Sequence, residues 1–266
     1  MVRRTLVLVL CALVSAAVLP LGTASADLVP NTDVEIVGAG TVTDTITIGS
    51  TTENVYLGPY SLQVPSNGTA LPWMCFDAEP NVTLSQVWSA YLTNDPQQAA
   101  SLWFGGDPNG VAKIDMISWL ATQSGATTAA QLGAVNEAMW EISADYTGTD
   151  PSQGGTDVNQ GLLTPNFSLS SSSPYLGLAA TYVAQAYAAL VGGYVDSDQA
   201  SFLIPLLCDA NGKNCTAVAN EQITPQTAQI QPFVAPADSV PEPSTLLLLA
   251  SGLVGMVGFV RKRGQI

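Results

Sequence analysis

Side chains able to do chemistry are sparse in this sequence. There is no histidine, so the commonest general base and the commonest zinc ligand are missing. What remains is thiol, amide and carboxylate. Cys75 sits in Trp73-Met74-Cys75-Phe76-Asp77, an apolar setting for a nucleophile. Cys208 and Cys215 flank the turn-prone hexapeptide DANGKN, which makes a local disulfide their natural pairing. Cys75 is then the odd thiol. Two carboxylate pairs, Asp77 with Glu79 and Glu137 with Glu141, have the residue types of a glycoside hydrolase. The second pair is spaced i, i+4, which reads as the solvated face of an amphipathic helix. DPNG at 107–110 and DANGKN at 209–214 contain oxygen ligands for calcium, but neither continues to the closing Glu of an EF-hand. Turn chemistry explains both. No phosphate-binding glycine loop and no zinc pattern occur. No cofactor, metal or catalytic residue is expected, and the chain reads as a non-enzyme.

The elements that must carry these residues follow from periodicity. Residues 35–57 are rich in Val, Ile and Thr with turn residues between them, and predict two or three strands. Residues 58–72 read as a loop. Residues 84–92 and 111–123 have helical spacing, and residues 128–146 predict the strongest helix. Residues 148–173 read as a surface loop, and Pro174–Val191 as another helix with proline in its first turn. Phe202–Cys208 predicts a strand, and 215–234 strand and loop. Strands, then helices, then strands indicate an α+β fold: sandwich- or barrel-like strands with an inserted helical block.

Both ends read as addresses. Arg3 and Arg4 precede an apolar run from Leu6 to Leu19, and Ala24-Ser25-Ala26 is a small-x-small site for signal peptidase. Cleavage after Ala26 removes Cys11 and leaves a mature domain over 27–231. Residues 232–243 form a linker, and 244–266 a short helix with a basic tail. Leu246–Val260 is fifteen uncharged residues. As a helix it reaches about 23 Å, short of a hydrocarbon core of about 30 Å unless flanking side chains snorkel. Arg261, Lys262 and Arg263 would stop it on the cytoplasmic side. They are three of only seven Lys and Arg in a chain of net charge −14, whose acids all lie between Asp27 and Glu242. A body this acidic repels nucleic acid and anionic lipid.

Val240-Pro241-Glu242-Pro243-Ser244, the short apolar run and the basic cluster together resemble the PEP-CTERM sorting signal. That resemblance implies recognition by an exosortase and a brief stay in the inner membrane. Processing would deliver the protein to the surface or extracellular matrix of a Gram-negative bacterium, with exopolysaccharide or a surface ligand as partner.

The body resembles thioester adhesin domains over roughly residues 55–230. There a Cys among apolar residues is joined to the Gln that opens a Gln-x-Ala-Ile-Trp motif. Cys75 matches the nucleophile, and Ala138 and Trp140 match the second motif. Asn136 stands where the Gln would be. Its side chain falls short by one C–C bond, about 1.5 Å. The resemblance implies either a covalent adhesin with a Cys75–Asn136 thioester or a relative in which Cys75 is a small buried hydrophobe, Asn136 caps or hydrogen-bonds the helix start and Trp140 is core. The function expected is that of a non-catalytic adhesive or structural component. Covalent capture is the alternative, and polysaccharide hydrolysis stands behind both.

Overall fold

The computed structural model describes residues 32–40, 42–78, 84–148, 167–208, 215–217 and 231–237. The signal peptide, Glu79, the 209–214 turn and the whole C-terminal sorting segment lie outside them. The strands are β1 (Thr32–Gly38), β2 (Val42–Ile48), β3 (Thr51–Leu57), β4 (Tyr60–Gln63), β5 (Ala70–Cys75) and β6 (Val87–Thr93), then β7 (Phe167–Leu169), β8 (Ala200–Leu207), β9 (Thr216–Ala217) and β10 (Phe233–Pro236). The helices are α1 (Pro96–Trp103), α2 (Gly110–Gln123), α3 (Ala129–Asp145) and α4 (Leu176–Val191).

Six strands close on themselves in the order β10-β5-β4-β1-β6-β8, with β8 returning to pair with β10 and β9 added beyond β8. Every pairing around this barrel is antiparallel. The hairpin of β2 and β3 leaves the barrel and joins β7 in a separate three-stranded sheet, ordered β3-β2-β7. The α+β expectation with barrel-like strands and helices between strand blocks therefore holds.

Helix α3 fills the space between barrel and small sheet, touching β2, β3, β5, β7, α2 and α4. Thr128 starts it with a capping box: its hydroxyl accepts from the Gln131 amide, and the Gln131 side chain accepts from the Thr128 backbone. Asp95 starts α1 by accepting from the amides of Gln97 and Gln98, with Pro96 in the first turn. Aromatic rings fill the core. Phe76 meets Trp103 and Phe202 edge-on at 6.2 and 6.3 Å, and Trp88 stacks on Phe233 at 6.1 Å.

Three segments differ from expectation: Phe167–Leu169, within the expected 148–173 loop, forms β7 and pairs with β2. Residues 58–72, expected as a loop, contain β4 and the start of β5. Residues 84–92, expected as helical, are largely strand β6. In β6, Trp88 and Ala90 are buried with period two, but apolar neighbours at Val87, Tyr91 and Leu92 make both periods fit so short a run. Among the described residues no helix is long and apolar enough to cross a membrane. Leu246–Val260 is outside them.

Where α3 crosses the small sheet, the approach is closest at Gly133. A Cβ there would lie 2.8 Å from Val42 Cγ2 and 3.5 Å from Leu57 Cβ. Val42 is β-branched and held in a strand, so it cannot swing away. Gly133→Val should lower unfolding free energy by about 2 kcal/mol, within the range for overpacking. Urea denaturation followed by tryptophan fluorescence measures it.

Candidate functional site

Cys75 ends β5, and its side chain is fully buried. Trp73, Met74 and Cys75 are all buried, because the barrel covers one face of the strand and α3 approaches the other. The thiol donates to the backbone oxygen of Asp77 at 2.9 Å. Burial pushes its pKa far above the usual thiol range. A thiol so held has almost no thiolate, which is the nucleophilic form.

Asn136, sixty-one residues on, comes to the same place. It lies in the middle of α3 and not at the helix start, where Thr128 and Gln131 do the capping. Its Nδ2 donates to the carbonyl of Cys75 at 2.5 Å. Its Oδ1 accepts from the amide of Gly58 at 3.1 Å. Both ends of the side-chain amide are thus engaged with backbone groups. Gly58 has φ +95, a conformation that glycine adopts without strain. It sits between β3 and β4, where the chain passes from the small sheet into the barrel.

Asp77 is buried beside this pair. Its Oδ2 accepts from Trp103 Nε1 at 3.1 Å and from Ser143 Oγ at 3.4 Å. Lys113 Nζ reaches the Ser143 carbonyl at 2.9 Å and pairs with Asp107 at 2.9 Å. Asp107 also accepts from the amide of Asn109, so DPNG is a turn closed by an ion pair. Among the described residues no cluster of three or more His, Cys, Asp or Glu is placed to hold a metal ion.

The other carboxylate pair is not on a solvated face. Glu137 is completely buried and Glu141 is 6% exposed. The reason is the crowding of α3, which leaves nothing from Gly133 to Ser143 facing water. Neither oxygen of Glu137 accepts a hydrogen bond from any described residue. Burial, with Asp44 opposite it on β2, pushes Glu137 up to about 9. Glu137 is therefore protonated at neutral pH and can donate to Asp44. Asp44 itself accepts from Thr45 N at 2.7 Å and from Ser173 Oγ. Glu141 is pushed up to about 8, by burial first and then by Asp145.

The expected disulfide is present: Cys208 and Cys215 are bonded at 2.04 Å. Among the described residues, Cys75 is the free cysteine. A cleft that the motifs did not indicate opens beside this core. It has a volume of about 350 Å³, and Tyr56, Tyr60, Trp140 and Asn54 are among its walls. Its residues come from β1, β3, β4, α3 and positions 39, 78, 84 and 231, so no local spacing could reveal it.

Comparison with known proteins decides the nature of the C-terminus. Residues 239–263 match the family model described as the PEP-CTERM protein-sorting motif. The chain carries a PEP-CTERM sorting motif. The motif implies export and exosortase processing. It contains Val240 to Ser244 and extends through Arg261, Lys262 and Arg263. No curated protein and no solved structure matches the chain.

Two outcomes test the geometry. Asn136→Ala leaves the Gly58 amide and the Cys75 carbonyl buried without that partner, which should cost about 2 to 5 kcal/mol. Chemical denaturation gives the value. Glu137 binds its proton more tightly folded than unfolded, so its contribution is full below the ordinary 4.5 and is lost as pH rises toward about 9. Stability should therefore fall across that window, and Glu137→Gln should flatten the decline in melting curves taken from pH 5 to 9.

Proposed function

We propose that this is an exported component of the cell surface or extracellular matrix that acts by non-covalent adhesion, without catalysis. The observation carrying this reading is the state of the Asn136 amide. Thioester formation requires the Cys75 sulfur to attack the amide carbon, forming S–C, breaking C–N and releasing ammonia. Here the amide holds two backbone groups and the thiol donates a hydrogen bond to the Asp77 backbone carbonyl. Both reactants are fixed in other bonds, inside a core with no exposure. The pair works as a structural clamp.

The carboxylates support the same reading. A hydrolase needs one ionised and one protonated carboxyl flanking a sugar. Glu137 is sealed in the core, and Asp77 is committed to Trp103 and Ser143. The PEP-CTERM motif supplies the route to the surface.

A covalent adhesin is the second reading. What favours it is that folding carries Asn136 from far along the chain into hydrogen-bond contact with Cys75.

Intact mass of the exported, purified protein separates the two. Under the non-covalent reading the mass equals that of the processed chain less the hydrogens of the Cys208–Cys215 disulfide, and methylamine leaves it unchanged. A further deficit of one ammonia, replaced by methylamine and abolished by Cys75→Ala, overturns it in favour of covalent capture.

A further inference from the structure

We propose that the cleft beside β3, together with the outer face of the small sheet, is a binding site for an uncharged glycan chain. This rests on the non-covalent adhesive reading and names its ligand. The cleft volume, about 350 Å³, lies at the lower end of the range of small-molecule sites, roughly 300–1,000 Å³. That is room for a short stretch of a chain whose remainder lies outside.

The surface leading into it is hydroxylated. β2 and β3 pair in register, with Thr43 opposite Tyr56, Thr45 opposite Asn54 and Thr47 opposite Thr52. Alternation puts these six side chains on one face. Thr45 Oγ1 donates to Asn54 Oδ1 at 2.7 Å, and the hydroxyls of Thr47 and Thr52 meet at 3.0 Å. A face of hydroxyls and amide offers donors and acceptors without charge. It ends at Tyr56, which is 57% exposed. An exposed ring at the mouth of a cleft gives a sugar ring an apolar face to stack on. The Tyr60 hydroxyl donates to the Tyr56 carbonyl at 2.9 Å, which holds the Tyr56 backbone in place.

Part of the lining is apolar and exposed. Leu84 is 56% exposed and lines the cleft. Ser85 after it has φ +64, a conformation that side-chain-bearing residues avoid. β1 carries a register shift between Ile36 and Gly38, beside the cleft residues Ile36 and Ala39. Bulges of this kind re-aim side chains beside functional sites. Exposed apolar side chains gathered at a concave site mark binding rather than chance.

Charge selects the class of ligand. Among the described residues, none of the cleft's lining side chains is charged. Lys113 is the lone cation among the described residues, buried and paired to Asp107. An anionic polysaccharide would meet acidic repulsion with no counter-charge. A neutral one meets rings, hydroxyls and amides.

The test titrates the exported protein with cellohexaose, maltohexaose, xylohexaose and N-acetylchitohexaose, with hexaguluronate as the anionic counterpart. Calorimetry and tryptophan fluorescence report binding, since Trp140 lines the cleft. At least one neutral oligomer should bind reversibly and hexaguluronate should not. Tyr56→Ala should weaken binding about tenfold or more, as loss of an aromatic anchor does. Tyr56→Phe, which keeps the ring, should retain it. Because Tyr56 is exposed, both variants should fold. The proposal is overturned if no neutral oligomer binds at millimolar concentration, if binding survives Tyr56→Ala, or if hexaguluronate binds equally. Uptake of the hydrophobic dye bis-ANS in the cleft, with no sugar bound, would assign the site to an apolar partner and equally overturn it. The methylamine assay fails or succeeds independently, so loss of the adhesive reading and loss of the glycan site are told apart.

Discussion

One side-chain amide joins three parts of this fold. Asn136 on α3 holds the Cys75 carbonyl at the end of a barrel strand and the Gly58 amide at the passage from small sheet to barrel. Buried backbone groups that miss their partners are expensive. The turn at Gly58 and the end of β5 therefore depend on α3 being in place. The helix in turn cannot shift along its axis without losing both bonds. Glu137, one residue on, is buried opposite Asp44 on β2, which helps to keep it protonated. The position of α3, and with it the angle between the two sheets, is set by polar contacts inside an otherwise apolar layer.

That arrangement accounts for what the sequence revealed and what it hid. Helices α2 and α3 were legible because their apolar periodicity extends over several turns. The hairpin of β2 and β3 was legible from its Thr and Ile alternation, and the Cys208–Cys215 disulfide from its turn. Strands β4 and β5 were hidden because Pro59, Pro65, Gly68 and Pro72 make that stretch look like loop. Only pairing within the barrel makes strands of them. Helix α1 was passed over, although Asp95 followed by Pro96 is a start signal. The pairing of Cys75 with Asn136 was visible in the motifs. Its chemistry was not, because the deciding partner, Gly58, lies seventy-eight residues from Asn136. Glu137 and Glu141 were misplaced for a related reason. An i, i+4 acidic pair looks solvated until the neighbours on every side of the helix are known.

The charge distribution fits this division of labour. Five of the seven Lys and Arg lie within the first four and last six residues, and the described body keeps a single paired lysine. What faces outward on the small sheet is hydroxyl, amide and aromatic ring.

The closing strand has a consequence for how the molecule is made. β10 lies between β5 and β8, so the barrel stays an open sheet until Phe233–Pro236 is delivered. That strand comes just before the matched motif at residues 239–263. During vectorial synthesis and export, the sheet keeps two edges waiting, one at β5 and one at β8, until that strand emerges. The fold is sealed only as the sorting segment itself arrives. Completion of the domain and presentation to the processing machinery are thus consecutive events on one thread, and a chain truncated before residue 233 would lose its seal and its address together.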